Sequence, residues 1–295
     1  MNVRDLLKQF KKYCLIERGM TPRNYISIVR SLEMIADYAS TENIKELNEN
    51  TIRGFLVDMS QQRGWSPKTF RNYLQSLSSF FQWCEKKGFV ENNPTRKIEK
   101  PKIPKRLPRC ITKEDSIKIL YHTSWYPWYY KIEKVRNEAI ITMFLYTGLR
   151  LRELLNLKFT DVCLESEEIL VRQGKGGKDR FVPIHPRLAL VLRGYIQEQK
   201  KTGKIGQWFF TSVRSEKQLN EKNIYRIFRT VSRAAGIKFT PHMLRHTFAR
   251  LSIDADFNLF KLKEIMGHSC ISTTQIYLSV SRKGIKRSFN ELQLF

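Results

Sequence analysis

Residues 93–109 read NPTRKIEKPKIPKRLPR. The segment holds four of the ten prolines of the chain, together with seven basic residues. Proline fixes the backbone dihedral φ and removes an amide donor, so the segment favours an extended linker over a helix. We therefore predict two domains, residues 1–92 and residues 110–295, joined by a stiff cationic linker.

The first domain is predicted to be a helical bundle. Apolar residues recur at helical spacing over 3–19, and another helix is expected over about 47–62. A Thr-Pro pair at 21–22 and a Ser-Pro pair at 66–67 each place a capping hydroxyl before a proline at the first helical position. The aromatic stripe of the last of these helices favours a packed core over nucleic-acid contacts.

The second domain is predicted to be mixed. Residues 168–184, EILVRQGKGGKDRFVPI, form two β-rich runs around a glycine-rich tip at 174–177, a pattern typical of a hairpin. Helical patterns cover about 112–121, 133–146, 149–157, 186–199, 221–235, 242–255, 258–266, 271–279 and a tail at 284–295. The fold class is therefore mainly α with a small β-sheet in the C-terminal domain.

The charge of the chain indicates a polyanionic partner. The formal net charge is +25 and the pI is about 10.0, with the basic excess spread over both halves of the chain. Nucleic acid explains this excess better than a membrane surface, because no long basic amphipathic helix is present. A surface tuned only for solubility is the alternative.

The cysteines and the apolar runs indicate a cytoplasmic protein. The five cysteines are scattered and form no CxxC pair, which argues against a disulfide framework or a zinc site. The N-terminus lacks the apolar core of a signal peptide, and the longest apolar run, AIITMFLYTGL, is too short to span a bilayer. We expect no membrane association.

Motifs for phosphate chemistry with a nucleotide or a metal are missing. The chain has no G-x-x-x-x-G-K-[ST] loop and no acidic cluster for two magnesium ions. If DNA is processed, a metal-free and cofactor-free route is favoured. Such a route needs fixed cations at the phosphate, an acid for the leaving oxygen and a hydroxyl nucleophile, for which arginine and tyrosine are suited.

Candidates for each part occur along the second domain. His242 and Arg245 are three residues apart near a helix start, where they share a face and the terminus favours a phosphate. Arg150 follows a Thr-Gly break, and Glu153 lies one turn later, in position to hold its guanidinium. Lys175 at the hairpin tip is a mobile cation that could reach a leaving oxygen. Two further candidates end the series: His268 and Tyr277.

Four stretches resemble a known family: TGLRLREL, GKGGKDRFVPI, TPHMLRHTFA and IMGHSCISTTQIY. In this order and at these separations they resemble the catalytic motifs of the tyrosine recombinases, the phage-integrase and Xer-type site-specific DNA recombinases. The resemblance spans most of 110–280, and the helical region before the linker resembles the core-binding domain of that family. It implies a C-shaped clamp that closes on duplex DNA.

The resemblance also assigns roles. Six residues match the catalytic positions of the family: Arg150, Lys175, His242, Arg245, His268 and Tyr277. It implies that the two arginines contact the non-bridging oxygens of the scissile phosphate, that the histidines add hydrogen bonds and manage protons, and that the lysine protonates the 5′ oxygen. The tyrosine attacks to form a 3′-phosphotyrosyl bond, without metal or ATP, and Glu153 is a supporting residue.

Other basic residues are expected to bind the DNA backbone. This set comprises Lys178 and Arg180 of the hairpin and Lys102, Lys105 and Arg106 of the linker. His246 is interpreted as structural, because helical geometry turns it away from Arg245. The resemblance implies a homotetramer on two DNA sites, with the 284–295 tail docked on a neighbouring subunit; the alternative is a tail that folds back on its own domain. A second recombinase or an activator protein is a possible partner.

Several functions remain open at this point. An Xer-like role in chromosome dimer resolution is favoured by the compact length and by the lack of an extra arm-binding domain. The alternatives are a phage or mobile-element integrase, a tyrosine-type topoisomerase, a DNA-binding regulator without catalysis, and a metal-dependent nuclease.

Overall fold

The structure, a computed structural model, describes residues 2–104, 107–172, 179–203, 206–213 and 217–278. The chain divides into two compact units, Met1–Lys105 and Arg106–Phe295. Within the described residues, no helix is long and apolar enough to cross a membrane.

Unit 1 is helical throughout. Its elements are α1 (Val3–Lys12), a π-helical turn (Tyr13–Glu17), α2 (Pro22–Ala39), a 3-10 turn (Ile44–Glu46), α3 (Glu49–Arg63) and α4 (Pro67–Lys86). The predicted caps start two of these helices: Thr21 Oγ1 accepts the amide of Asn24, and Ser66 Oγ accepts the amide of Thr69. The apolar faces of all four helices meet in one core, in which Phe10, Phe55 and Phe80 are fully buried.

The start of the predicted linker is folded and not extended. Residues 94–97 form a turn, and Ile98 is buried in the core of unit 1. Asn93 donates to the carbonyl of Ser78, and Arg96 forms an ion pair with Glu85 at 2.9 Å. The prediction of an extended 93–109 segment is therefore wrong for its first six residues, because one isoleucine and a pair of polar side chains fix them to the bundle.

Unit 2 is mixed. Its helices are α5 (Lys113–Trp125), α6 (Lys131–Thr147), α7 (Leu151–Leu155), α8 (Pro186–Lys201), α9 (Glu221–Ala235), α10 (Pro241–Asp254), α11 (Leu259–Met266) and α12 (Ser272–Gln275), with a 3-10 turn at Phe159–Asp161. Its strands are β1 (Val162–Cys163), β2 (Glu168–Val171) and β3 (Arg180–Pro183). The three strands form one antiparallel sheet in the order β1-β2-β3, with Ile169 opposite Val182.

The core of unit 2 surrounds α6, whose residues Ile140, Met143 and Phe144 are fully buried. The second half of α6, residues 139–147, is almost wholly buried and needs neighbours on every side, and α6 packs against α5, α8 and α10. The predicted fold class, mainly α with a small sheet in the second unit, is confirmed. The hairpin tip at 174–177 and the tail at 284–295 lie outside the described residues.

Candidate active site

Two glycines bring remote helix ends together at the candidate site. Gly148 ends α6 with φ of +60°, and Gly267 ends α11 with φ of +61°. This left-handed conformation suits glycine. An added Cβ would also lie 2.4 Å from Phe248 at the first position and 3.0 Å from the Arg180 guanidinium at the second. Both turns therefore require glycine for conformation and for space.

Glu153 is the anchor of two arginines. Its carboxylate accepts four hydrogen bonds, two from Arg150 (backbone amide 2.8 Å, Nη1 2.5 Å) and two from Arg180 (Nη1 2.9 Å, Nη2 2.7 Å). Burial raises the pKa of this carboxyl, but the bonds and charges of the two arginines outweigh burial and lower the pKa to about 2. The carboxylate is 8% exposed and fully ionised, so it holds both guanidinium groups in fixed orientations.

The carboxyl end of α11 holds three arginines through consecutive carbonyls. Arg180 Nε donates to Ile265 O at 2.7 Å, and Arg150 Nη2 donates to Gly267 O at 2.8 Å. Between them, Arg245 Nη2 donates to Met266 O at 2.7 Å. The last carbonyls of a helix lack partners within the helix and carry partial negative charge, so they suit cationic donors.

Arg180 requires a correction. The sequence predicted it as a contact to the DNA backbone, but its guanidinium donates to both oxygens of Glu153 and to Ile265 O. Its side chain is 11% exposed. A guanidinium buried in a bidentate ion pair is fixed by its partners. Arg180 therefore holds Glu153 and the carboxyl end of α11 in place.

Arg245 is the most enclosed cation of the site, at 3% exposure. Besides Met266 O, it donates to Gly148 O and to Nε2 of His268, the latter at 2.9 Å. Burial, followed by the charge of Arg150, lowers its pKa to about 10, which leaves the group charged at neutral pH. Arg245 thus joins the ends of α6 and α11 to the segment that follows.

His268 lies between Arg245 and Thr274. Because Nε2 accepts from Arg245, the ring proton is on Nδ1, which donates to Thr274 Oγ1 at 2.9 Å. Burial, followed by the charges of Arg245 and Arg150, lowers the pKa of His268 to about 4. The imidazole is therefore neutral at neutral pH, and Thr274, which is fully buried, is a supporting residue that the sequence analysis missed.

Tyr277 is held by a histidine that was interpreted as structural. Nδ1 of His246 lies 2.6 Å from the Tyr277 hydroxyl. Although His246 points away from Arg245 along the helix, it shares a helical face with His242, four residues earlier. Their rings are 4.3 Å apart between centroids. That spacing was the available signal for placing His246 in the site.

The ring of Tyr277 is packed and not exposed. It is 1% exposed and forms a small core with Ala249, Ile253, Leu262 and Met266 of α10 and α11. Burial raises the pKa of the phenol to about 12, although the charge of Arg245 acts in the opposite direction. The hydroxyl is therefore protonated at neutral pH.

Five of the six predicted catalytic residues line one cavity of about 510 Å³: Arg150, His242, Arg245, His268 and Tyr277. Burial, followed by the charges of Arg245 and Arg150, lowers the pKa of His242, so this ring also favours the neutral form. The cavity combines fixed cations, neutral imidazoles and a phenol, which is a set suited to hold an anionic phosphodiester beside a hydroxyl nucleophile.

Five further predicted site residues are not placed in this cavity by the described part of the chain. Lys175, Lys178, Lys105 and Arg106 are outside the described residues, and Lys102 is exposed in unit 1. Across the described ranges, no group of three or more His, Cys, Asp or Glu side chains is arranged to hold a metal ion.

Two family models match the chain. Residues 111–283 match the phage integrase family, and residues 6–89 match the phage integrase N-terminal SAM-like domain. The tyrosine recombinase XerA of Pyrococcus furiosus is 31% identical over 284 residues, which cover 89% of this chain and 94% of the relative. The tyrosine recombinase XerD of Listeria innocua is 28% identical, over 97% of this chain and 98% of the relative.

Solved structures agree on the fold. A XerH site-specific recombinase bound to a palindromic difH substrate has a TM-score of 0.77 at 23% identity, over 97% of this chain and 84% of that one. A lambda integrase dimer bound to a COC′ core site has a TM-score of 0.71 at 19% identity, over 92% and 97%.

These matches cover both units of the chain. The chain belongs to the phage integrase family. It is a tyrosine recombinase, so the enzyme class predicted from the four motifs, a site-specific DNA recombinase, is confirmed.

Proposed function

We propose that this recombinase acts in an Xer-like manner: it cuts and rejoins two duplex DNA sites through a 3′-phosphotyrosyl intermediate, with Tyr277 as the nucleophile. One observation carries the proposal. Side chains drawn from positions 150 to 277 converge on a single cavity, and the tyrosine is among them.

The cations are the first part of the mechanism. Arg245 is held by carbonyl oxygens and a neutral histidine, and among the described residues no carboxylate lies within ion-pair distance of it. Arg150 shares its carboxylate partner with Arg180. Positive charge therefore remains available for the non-bridging oxygens of a phosphate, whose negative charge grows in the transition state.

Proton handling is the second part. Lys175 protonates the departing 5′ oxygen, and His242 donates a hydrogen bond to the phosphate. His268 does so once its N–H leaves Thr274, to which it donates in this structure. Tyr277 forms the covalent bond, and the 5′ hydroxyl of the partner DNA later attacks that bond to reseal the strand. Because the phenol is 1% exposed, DNA binding must widen the cavity before phosphorus can reach it.

Duplex DNA is the partner that the charge of the chain favours. The net charge of +25 attracts phosphates, and Lys102, Lys105, Arg106 and Lys178 are proposed as backbone contacts. Both units are proposed to contact the duplex. Four copies would assemble on two sites, with the 284–295 tail exchanged between neighbours. Deleting this tail is expected to weaken assembly on paired sites and to spare binding to a single site.

The biological task we propose is resolution of chromosome dimers. Covalent adducts trapped on genomic DNA and sequenced at their attached ends would test it. Ends that map to one chromosomal locus support the proposal. Ends that map to the borders of a mobile element would favour an integrase, and relaxation of supercoils without any two-site product would favour a topoisomerase.

The nucleophile has a direct test. Tyr277→Phe is expected to bind DNA and to form no covalent adduct, because only one hydroxyl is removed. Tyr225 is the other tyrosine that lines the cavity. Tyr225→Phe is the matched variant and is expected to retain the adduct, which would migrate as a protein–DNA band after denaturation. An adduct that survives in Tyr277→Phe would refute the assignment.

A further inference from the structure

The contact between His246 and Tyr277 is not used by the mechanism above. The 2.6 Å separation between Nδ1 and the hydroxyl is at the short end for a hydrogen bond, and the ring centroids are 5.6 Å apart. Both residues line the same cavity as Arg150 and Arg245. The nucleophilic oxygen is thus already in contact with an imidazole nitrogen.

The direction of this hydrogen bond follows from the surroundings. Burial, followed by His242 and Arg245, lowers the pKa of His246 to about 4, so the ring is neutral at neutral pH. Burial raises the pKa of Tyr277 to about 12, and Cys110 acts in the same direction. The phenol therefore donates, Nδ1 accepts, and the proton of His246 is on Nε2.

Two other imidazoles line the cavity, those of His242 and His268, and His268 is already engaged. His268 uses Nε2 to accept from Arg245 and Nδ1 to donate to Thr274. It would have to give up its bond to Arg245 to accept a proton. His246 has its accepting nitrogen directed at the phenol, so it is better placed than His268. Among the described residues, His242 makes no hydrogen bond to the Tyr277 hydroxyl, whereas His246 does.

We propose that His246 is a further catalytic residue, whose Nδ1 orients the Tyr277 hydroxyl and takes its proton as the phenolic oxygen attacks phosphorus. The inference rests on the proposed function. A bond forms between Oη and phosphorus, and the bond between phosphorus and the 5′ oxygen breaks, leaving its electron pair on that oxygen. The 5′ oxygen receives a proton from Lys175, the proposed general acid. On resealing, the 5′ hydroxyl returns its proton to Lys175 and bonds to phosphorus, while the bond between phosphorus and Oη breaks and the phenolic oxygen regains its proton from the imidazolium.

The bound phosphodiester makes this transfer easier. It brings negative charge next to Arg245 and His242, the two positive or titratable groups that lower the proton affinity of His246. His268 and Cys110 also face this region, the latter through a bond from its thiol to the backbone carbonyl of His246. The affinity of Nδ1 for a proton therefore rises when the substrate occupies the cavity.

Single-turnover cleavage of a nicked duplex carrying the site found by adduct mapping tests the proposal. His246→Ala is expected to slow adduct formation by about 10²- to 10⁴-fold at neutral pH, the usual contribution of a general base. In His246→Asn, the amide oxygen can replace Nδ1 as an acceptor but cannot take up the proton. This variant is expected to be slow as well, with a rate that rises about tenfold per pH unit as hydroxide replaces the base. A rate equal to that of the wild type in His246→Asn would overturn the proposal.

A sulfur substitution separates the two sides of the reaction. Sulfur in place of the bridging 5′ oxygen leaves without an acid, so the modified duplex should restore cleavage by Lys175→Ala. It should not restore cleavage by His246→Ala, because the lost group acts on the nucleophile. Restored cleavage in His246→Ala would place this residue on the leaving side and contradict the proposal.

A measurement without DNA keeps the two proposals distinct. The chain has five histidines, so ring nitrogens can be assigned by ¹⁵N NMR with a variant for each. Tyr277→Phe is expected to shift Nδ1 of His246 and to leave His122, which is outside the cavity, unchanged. An unshifted Nδ1 would refute this inference. A wild-type protein that shows the shift but never forms an adduct would instead refute the proposed function.

Discussion

Replacing Glu153 by glutamine tests how strongly the site depends on one carboxylate. Burial raises the pKa of this group, but the hydrogen bonds and charges of Arg180 and Arg150 outweigh burial and lower the pKa from 4.5 to about 2. A carboxyl whose pKa is lower in the folded state than in the unfolded state stabilises the fold. This contribution is complete at pH values above the unfolded pKa and is lost as the pH falls toward 2. This lowering of the pKa corresponds to about 3 kcal/mol at neutral pH. We therefore expect Glu153→Gln to lower the free energy of unfolding of unit 2 by about 3 kcal/mol at pH 7.

The assay is urea unfolding of the full chain, with the transition of unit 2 identified by hydrogen exchange of residues 131–147. The difference in unfolding free energy between the wild type and Glu153→Gln is expected to be about 1 kcal/mol smaller at pH 3.5. At this pH, below the unfolded pKa, ionisation of Glu153 stabilises the folded state less. Glu221 is the matched control, since its ion pair with Arg152 is largely exposed. Glu221→Gln should cost less than about 1 kcal/mol. A loss of stability in Glu153→Gln that is no larger than that in Glu221→Gln, or one that does not change with pH, would refute the reasoning.

Three further outcomes are expected. Arg245→Ala should slow adduct formation by about 10²- to 10³-fold, as loss of a preorganised charge contact does, whereas Arg250→Ala on the same helix should have little effect in the same gel assay. Gly267→Ala should destabilise more than Gly236→Ala in thermal unfolding: both have positive φ, costing about 1–2 kcal/mol, but only the first added Cβ meets another side chain, that of Arg180. DNA affinity should fall with salt with a log–log slope of about −0.9 per neutralised phosphate, measured by fluorescence anisotropy, and a flat response would argue against a phosphate partner.

The sequence predicted most helices because their starts are encoded locally. The Thr-Pro and Ser-Pro pairs mark the first residues of α2 and α4, and α9 has the predicted bounds of 221–235. The two-residue strand β1 was missed, since two residues cannot show an alternating pattern. The predicted helix at 271–279 contains only one helical turn, Ser272–Gln275, within a run of turns.

The site could be predicted only in part. The order of the motifs indicated the catalytic set, because each motif pairs a reactive residue type with a local break in the chain. The sequence could not show that Arg150 lines the cavity while Arg180 is buried against Glu153. The burial and the hydrogen-bond partners of each arginine depend on how β3 and α11 meet in three dimensions. The role of His246 was hidden for a related reason: its partner, Tyr277, lies 31 residues further along the chain.

The carboxyl end of α11 links the arginines of the site to the nucleophile. Ile265, Met266 and Gly267 each hold a different arginine, and the chain runs from there through His268 to Tyr277. A small displacement of this one helix end would therefore move the three arginines and the nucleophile together. Alignment of the cations with the attacking oxygen thus depends on the position of a single helix.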